Sequence, residues 1–225
     1  MNDLLHVENL HKTFFEGGRE IRVLRGLHLE LGHGERLAIV GESGVGKSTL
    51  LHILGALDRP SEGRVIYRGE DLSALDEEAV ATFRNREIGF VFQFHYLLPD
   101  FDALENVMLP GLIRGWERKK AEKDAARLLE MVGLGDRMTH RPGKLSGGEQ
   151  QRVAVARSVI LQPKLILADE PTGDLDPHTG GEVQNLLFRL NEEHGVALVV
   201  ATHNRDFATR LGRRMELRDG ALFPL

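Results

Sequence analysis

Leu145-Ser146-Gly147-Gly148-Glu149 places a hydroxyl and two glycine N–H groups at the head of a helical pattern that runs to about Leu161. Free N–H groups and the positive end of the helix dipole together favour an anion there. Five such residues also fit a plain helix cap with a glycine turn. Their neighbours give them weight. Upstream lies a second anion cradle, Gly41-Glu42-Ser43-Gly44-Val45-Gly46-Lys47-Ser48, and downstream an apolar run ends in Asp169-Glu170. Two phosphate sites so far apart in one chain can serve one nucleotide only if the second belongs to another molecule.

The upstream cradle fits G-x-x-x-x-G-K-[ST], with Thr49 next. Glu35 to Val40 reads as a buried strand entering it, and Lys47 to Ala56 as the helix leaving it. That strand–loop–helix context turns a short match into a phosphate-binding loop. Its glycines let backbone N–H groups wrap the phosphates of ATP. Lys47 adds a mobile positive charge, and the Ser48 hydroxyl can ligate Mg²⁺. Asp169 ends a buried strand, where α/β sheets gather their ligands, and can hold Mg²⁺ directly or through water. Glu170 points to another side of the chain and can take a proton from an attacking water.

The rest of the chain organises itself around these motifs. Residues 4–10 and 21–31 read as strands flanking a polar turn at 16–18, and 63–67 and 88–92 as further strands. A polar helix, Asp76 to Asn85, separates the last two. From about Ala103 to Leu161 the pattern is helical, with Ala125, Leu128, Leu129 and Val132 at the spacing of one buried stripe. Strands return at Leu165–Ala168 and Val196–Ala201, continuous apolar runs of the kind that both faces of a parallel sheet bury. Between them Asp176 caps a helix that opens on Pro177, with Val183, Leu186, Leu187 and Leu190 as its inner face. The mixed-sign run Arg114 to Lys123 reads as a solvated helix start, with Trp116 a packing residue.

At 225 residues, 41% hydrophobic and 28% charged, the composition is that of a soluble globular protein. A net charge of −5 argues against non-specific binding to nucleic acid through the overall field. The absence of cysteine excludes disulfide and thiolate chemistry. No apolar run approaches the roughly 18 residues that cross a bilayer, so a membrane role has to come through partners.

The order of motifs resembles the ABC ATPase family along nearly the whole chain. The resemblance implies an α/β P-loop fold. A mixed-sheet core at 1–93 and 159–225 would carry an antiparallel β subdomain, and an inserted helical subdomain at 94–158 would carry the signature. It implies a dimer in which Ser146, Gly147, Gly148 and Glu149 of one copy cover the ATP held by the other. His203, after Ala201-Thr202, matches the switch histidine that touches the γ-phosphate, although Asn204 stands where relatives often carry aspartate. Gln93 matches the glutamine that links Mg²⁺ and water to a transmembrane partner, and Gly173-Asp174-Leu175-Asp176 the loop crossing the dimer seam. Phe14, beside Phe15, takes the position of the adenine-stacking aromatic.

A small-molecule kinase would leave the signature and Glu170 without work. ABC ATPases of DNA repair carry long insertions and ribosomal ones usually two cassettes, for which this chain has no room. Within transporters, Gln93-Phe94-His95-Tyr96-Leu97-Leu98-Pro99-Asp100-Phe101 is similar to the lipoprotein-releasing branch. Macrolide-exporter and cell-division ATPases share the Glu170-Pro171-Thr172-Gly173 step and stand as alternatives, with a soluble ABC ATPase acting on nucleic acid as the alternative of a different class. The resemblance implies two permease subunits contacted near Gln93–Phe101 and a place on the cytoplasmic face of the bacterial inner membrane.

Overall fold

The computed structural model describes residues 3–225. Two sheets share the core. The first is antiparallel, in the order β2-β1-β4-β5, with β1 Asp3–Glu16, β2 Arg19–Gly32, β4 Glu62–Tyr67 and β5 Glu70–Asp71. The second is six-stranded, in the order β10-β9-β3-β8-β7-β6. Its parallel part comprises β3 Arg36–Val40, β6 Ile88–Phe92, β7 Leu165–Asp169, β8 Ala197–Ala201 and β9 Arg213–Arg218, with β10 Ala221–Pro224 antiparallel at one edge.

The apolar runs in the parallel strands work as expected for a sheet covered on both sides. Leu198 and Val200 join one buried cluster, while Ala197, Val199 and Ala201 join the other. Each fully buried branched side chain contributes about 1.5–3 kcal/mol relative to exposure. On one face pack α1 Lys47–Leu54 and the long hairpin β1–β2. On the other pack α3 Ala103–Ile113, α4 Arg118–Met131, α5 Gly147–Val159, α6 Pro177–His194 and α7 Arg205–Leu211. A polar helix, α2 Glu77–Glu87, is capped by Asp76, whose carboxylate accepts from the Ala79 N–H.

The stripes fall inside as predicted. Ala125 and Leu129 are fully buried on α4, and Val183, Leu187 and Leu190 on α6. Trp116 packs against the helical cluster, and the Lys120 ammonium sits 3.0 Å from its ring centre. Three differences stand out. The hairpin strands reach further than 4–10 and 21–31, because pairing continues through Phe14–Ile21 and Phe15–Glu20 to the turn. The first helix stops before Ala56, since Gly55 closes it and Ala56 turns left-handed at φ 54°. Beyond His203 the chain forms α7 and the β9–β10 hairpin, for which no element was predicted. The readable signal there is Asp219-Gly220, both with positive φ, the pairing that a two-residue hairpin turn requires.

The C-terminal half of the segment between β6 and α3 is tied down by a buried side chain of α3. Asn106, fully buried on α3, accepts from the Leu98 N–H and donates to the carbonyls of Leu98, Phe101 and Asp102. Asn106→Ala would strand the Leu98 N–H and the Phe101 carbonyl at about 1–3 kcal/mol each, while the carbonyls of Leu98 and Asp102 keep backbone partners. The expected result is a melting point lower by about 5–10 °C in a thermal scan. An unchanged melting point would mean that water replaces the amide.

Candidate active site

The parallel strands β3, β6, β7 and β8 all end on one edge of the sheet, and every sequence-predicted catalytic residue leaves from one of those ends. Such an edge is where α/β folds bind ligands. Gly41 follows β3, Gln93 follows β6, Asp169 ends β7 with Glu170 next, and Thr202-His203 follow β8.

The loop Gly41–Gly46 opens α1 without a side-chain cap, so the first N–H groups of the helix are left for a ligand. Two of its glycines have no substitute. A Cβ on Gly41 would lie 2.6 Å from the Leu217 carbonyl oxygen, and one on Gly46, at φ 112°, 2.6 Å from Val23 Cγ1. Lys47 is buried and donates to the carbonyls of Gly41 and Glu42, 2.8 Å each, so its ammonium already sits over the loop. Ser48 and Thr49 follow on the first turn of α1.

Glu170 takes a left-handed backbone, φ 44°, which turns its side chain away from the β7 direction and towards the end of β8. There its Oε1 accepts from the His203 N–H at 2.9 Å and pairs with His203 Nδ1 at 2.8 Å. Its Oε2 accepts from the Thr202 hydroxyl at 3.1 Å. Gln93 Nε2 donates to Asp174 Oδ1 at 2.8 Å, bringing the glutamine and the Gly173–Asp176 loop together. Asn204, which stands where relatives often carry aspartate, caps α7 by accepting from the Phe207 N–H, and only its backbone N–H meets the cluster, at the Thr202 hydroxyl oxygen.

Ser146 and Glu149 form a reciprocal capping box at the head of α5. The Ser146 N–H, with help from Arg137, holds the Glu149 carboxyl below its ordinary pKa. Gly147 and Gly148 pack beside Leu175 and Thr179 respectively, where a Cβ on Gly148 would clash with the Thr179 methyl. The P-loop, by contrast, is enclosed by Val23 and Leu217. Phe14 is partly exposed on the hairpin, with the Lys12 ammonium 4.9 Å from its ring centre, and Phe15 next to it is still more exposed.

Polar residues that the sequence reading passed over bind the motifs to each other. Gln151 on α5 is fully buried and donates to the carbonyls of Phe92 and Pro171, and its amide oxygen meets His95 Nδ1. Arg157, one helical face further on, donates to the carbonyls of His95 and Tyr96, and burial lowers its pKa. The visible signal was polar residues interrupting an apolar helix face. With the backbone of 95–96 held from inside, Phe94 and Tyr96 point outward, 67% and 65% exposed.

The chain matches the ABC transporter family over residues 24–173. It is 53% identical to the lipoprotein-releasing system ATP-binding protein LolD of Syntrophus aciditrophicus, over 97% of this chain and 98% of that one. It is 54% identical to the LolD protein of Geobacter metallireducens, over 98% of each chain. Among solved structures, the dimeric ATP-binding cassette MJ0796 in a post-hydrolysis state with ADP and Pi superposes with a TM-score of 0.90. That pair shares 41% identity over 97% of this chain and 96% of the other. The chain belongs to the ABC transporter family, as an ATP-binding cassette close to the LolD proteins.

Proposed function

We propose that this chain is the ATP-hydrolysing subunit of a lipoprotein-releasing ABC transporter, working as a pair of copies beneath two permease subunits at the cytoplasmic face of the bacterial inner membrane. The observation that carries this reading is the end-to-end match to LolD proteins at 53% and 54% identity. The chain is one domain, with residues 94–158 as a lobe that presents the signature. Among the described residues no helix is long and apolar enough to cross a membrane, so attachment runs through the permeases. Phe94, Tyr96, Leu98 and Phe101, exposed apolar side chains beside Gln93, supply the docking face.

ATP lies with its β- and γ-phosphates on the N–H groups of Gly41–Thr49, and Phe14 stacks on the adenine. Lys47 exchanges its two loop carbonyls for phosphate oxygens. The Ser48 hydroxyl, the Gln93 amide and the Asp169 carboxylate are hard oxygen donors that fit Mg²⁺, which neutralises phosphate charge when bound. Glu170 takes the proton of the attacking water, and His203 contacts the γ-phosphate. Ser146, Gly147 and Gly148 of the second copy close over that same phosphate, with Glu149 bracing the cap. Asp174 lies at the seam.

A pull-down tests the reading. Tagged Glu170→Gln protein, loaded with ATP, is recovered from detergent-solubilised membranes of the source organism. Two lipoprotein-releasing permease chains are the expected companions. Recovery of a macrolide-exporter or cell-division permease would overturn the cargo and keep the ATPase, and recovery of soluble partners alone would overturn the transporter.

A further inference from the structure

We infer that Thr202 is a positioning residue for hydrolysis, fixing the second carboxylate oxygen of Glu170 through its hydroxyl. The inference rests on the reading of Glu170 as the base.

Thr202 follows the last residue of β8 and is 1% exposed, so its hydroxyl has only protein partners within reach. Its backbone N–H donates to the Ile39 carbonyl at 3.0 Å, which ties it to the strand that feeds the P-loop. Its Oγ1 accepts from the Asn204 N–H at 3.1 Å. That bond orients the single hydroxyl proton towards Glu170 Oε2, also 3.1 Å away. A buried residue thus links the phosphate-loop strand, through its backbone N–H, to the base, through its hydroxyl.

Glu170 needs such a partner. Its left-handed backbone aims the side chain across to β8, and the Glu170 N–H donates to the Ala201 carbonyl at 2.9 Å. Oε1 is held by His203 alone. In the proposed mechanism His203 also contacts the γ-phosphate, so its ring is shared between two partners when the ATP site fills. Thr202 has no second task and stays. With the ring drawn to the phosphate, the hydroxyl holds Oε2 while the His203 backbone N–H holds Oε1, and together they keep the carboxylate from rotating about its last torsion. A misplaced base costs rate and leaves nucleotide affinity alone.

The test compares Thr202→Val, Thr202→Ala and Thr202→Ser in the full chain, with Glu170→Gln alongside. Valine keeps the branched shape and removes the donor, and serine keeps the donor. Steady-state hydrolysis is read together with ATP affinity by calorimetry and the thermal midpoint. A lost hydrogen bond to a charged group corresponds to a fall in kcat of about tenfold or more in the valine and alanine variants. ATP affinity is expected within about twofold of the parent, and serine is expected to restore most of kcat. Wild-type turnover in Thr202→Val, beside an inactive Glu170→Gln, would overturn the inference and leave the base assignment standing. Equal losses in valine and serine would assign the residue to packing and overturn it as well. An active Glu170→Gln would remove the reading on which it rests.

Discussion

Glu170→Gln is expected to lower ATP hydrolysis by about 10²–10⁴-fold, the usual worth of a general base, with ATP affinity changed by less than about threefold. The substitution should disturb the fold little. An amide oxygen still accepts from the His203 N–H, and the amide nitrogen can donate to the Thr202 oxygen, which now faces Glu170 Oε2. What disappears is the capacity to take a proton from water. With binding intact and hydrolysis stopped, the closed pair of copies should accumulate. Size-exclusion chromatography with light scattering should therefore show an ATP-dependent dimer that the parent chain does not retain. Hydrolysis within a few-fold of the parent would remove Glu170 as the base.

Lys47→Ala should act at the preceding step. Its ammonium is buried over the loop, bonded to the carbonyls of Gly41 and Glu42. Those bonds hold one positive charge where the phosphates of ATP would need it. Loss of charge-assisted bonds worth about 1.5–3 kcal/mol corresponds to an ATP affinity about 10- to 100-fold weaker. Calorimetry should show that weakening directly, with hydrolysis lost in parallel. The two variants thus separate. Glu170→Gln binds without turning over, whereas Lys47→Ala fails to bind at the concentrations that saturate the parent. Unchanged affinity in Lys47→Ala would show that the loop N–H groups suffice.

The motifs readable in the chain were those whose chemistry is local. The 41–48 pattern is readable from the loop it forms, although the close contacts at Gly41 and Gly46 come from Leu217 and Val23, and the capping box at Ser146–Glu149 closes within four residues. Apolar runs announced β7 and β8 because a parallel strand buried on both faces cannot alternate. The β9–β10 hairpin was legible only through Asp219-Gly220, because its strands are short and mostly half-exposed.

Sequence alone determined the loop, the strand–helix alternation and the residue types at each strand end. Tertiary structure decided how those ends meet. Residues 93 and 174 are joined by a bond across the site, as are 170 and 202–203. Gln151 reaches both Phe92 and Pro171 only because α5 packs across two strand ends. No periodicity encodes such contacts. A buried polar group must find its partners in space, and which carbonyls are near is settled by the order of strands in the sheet.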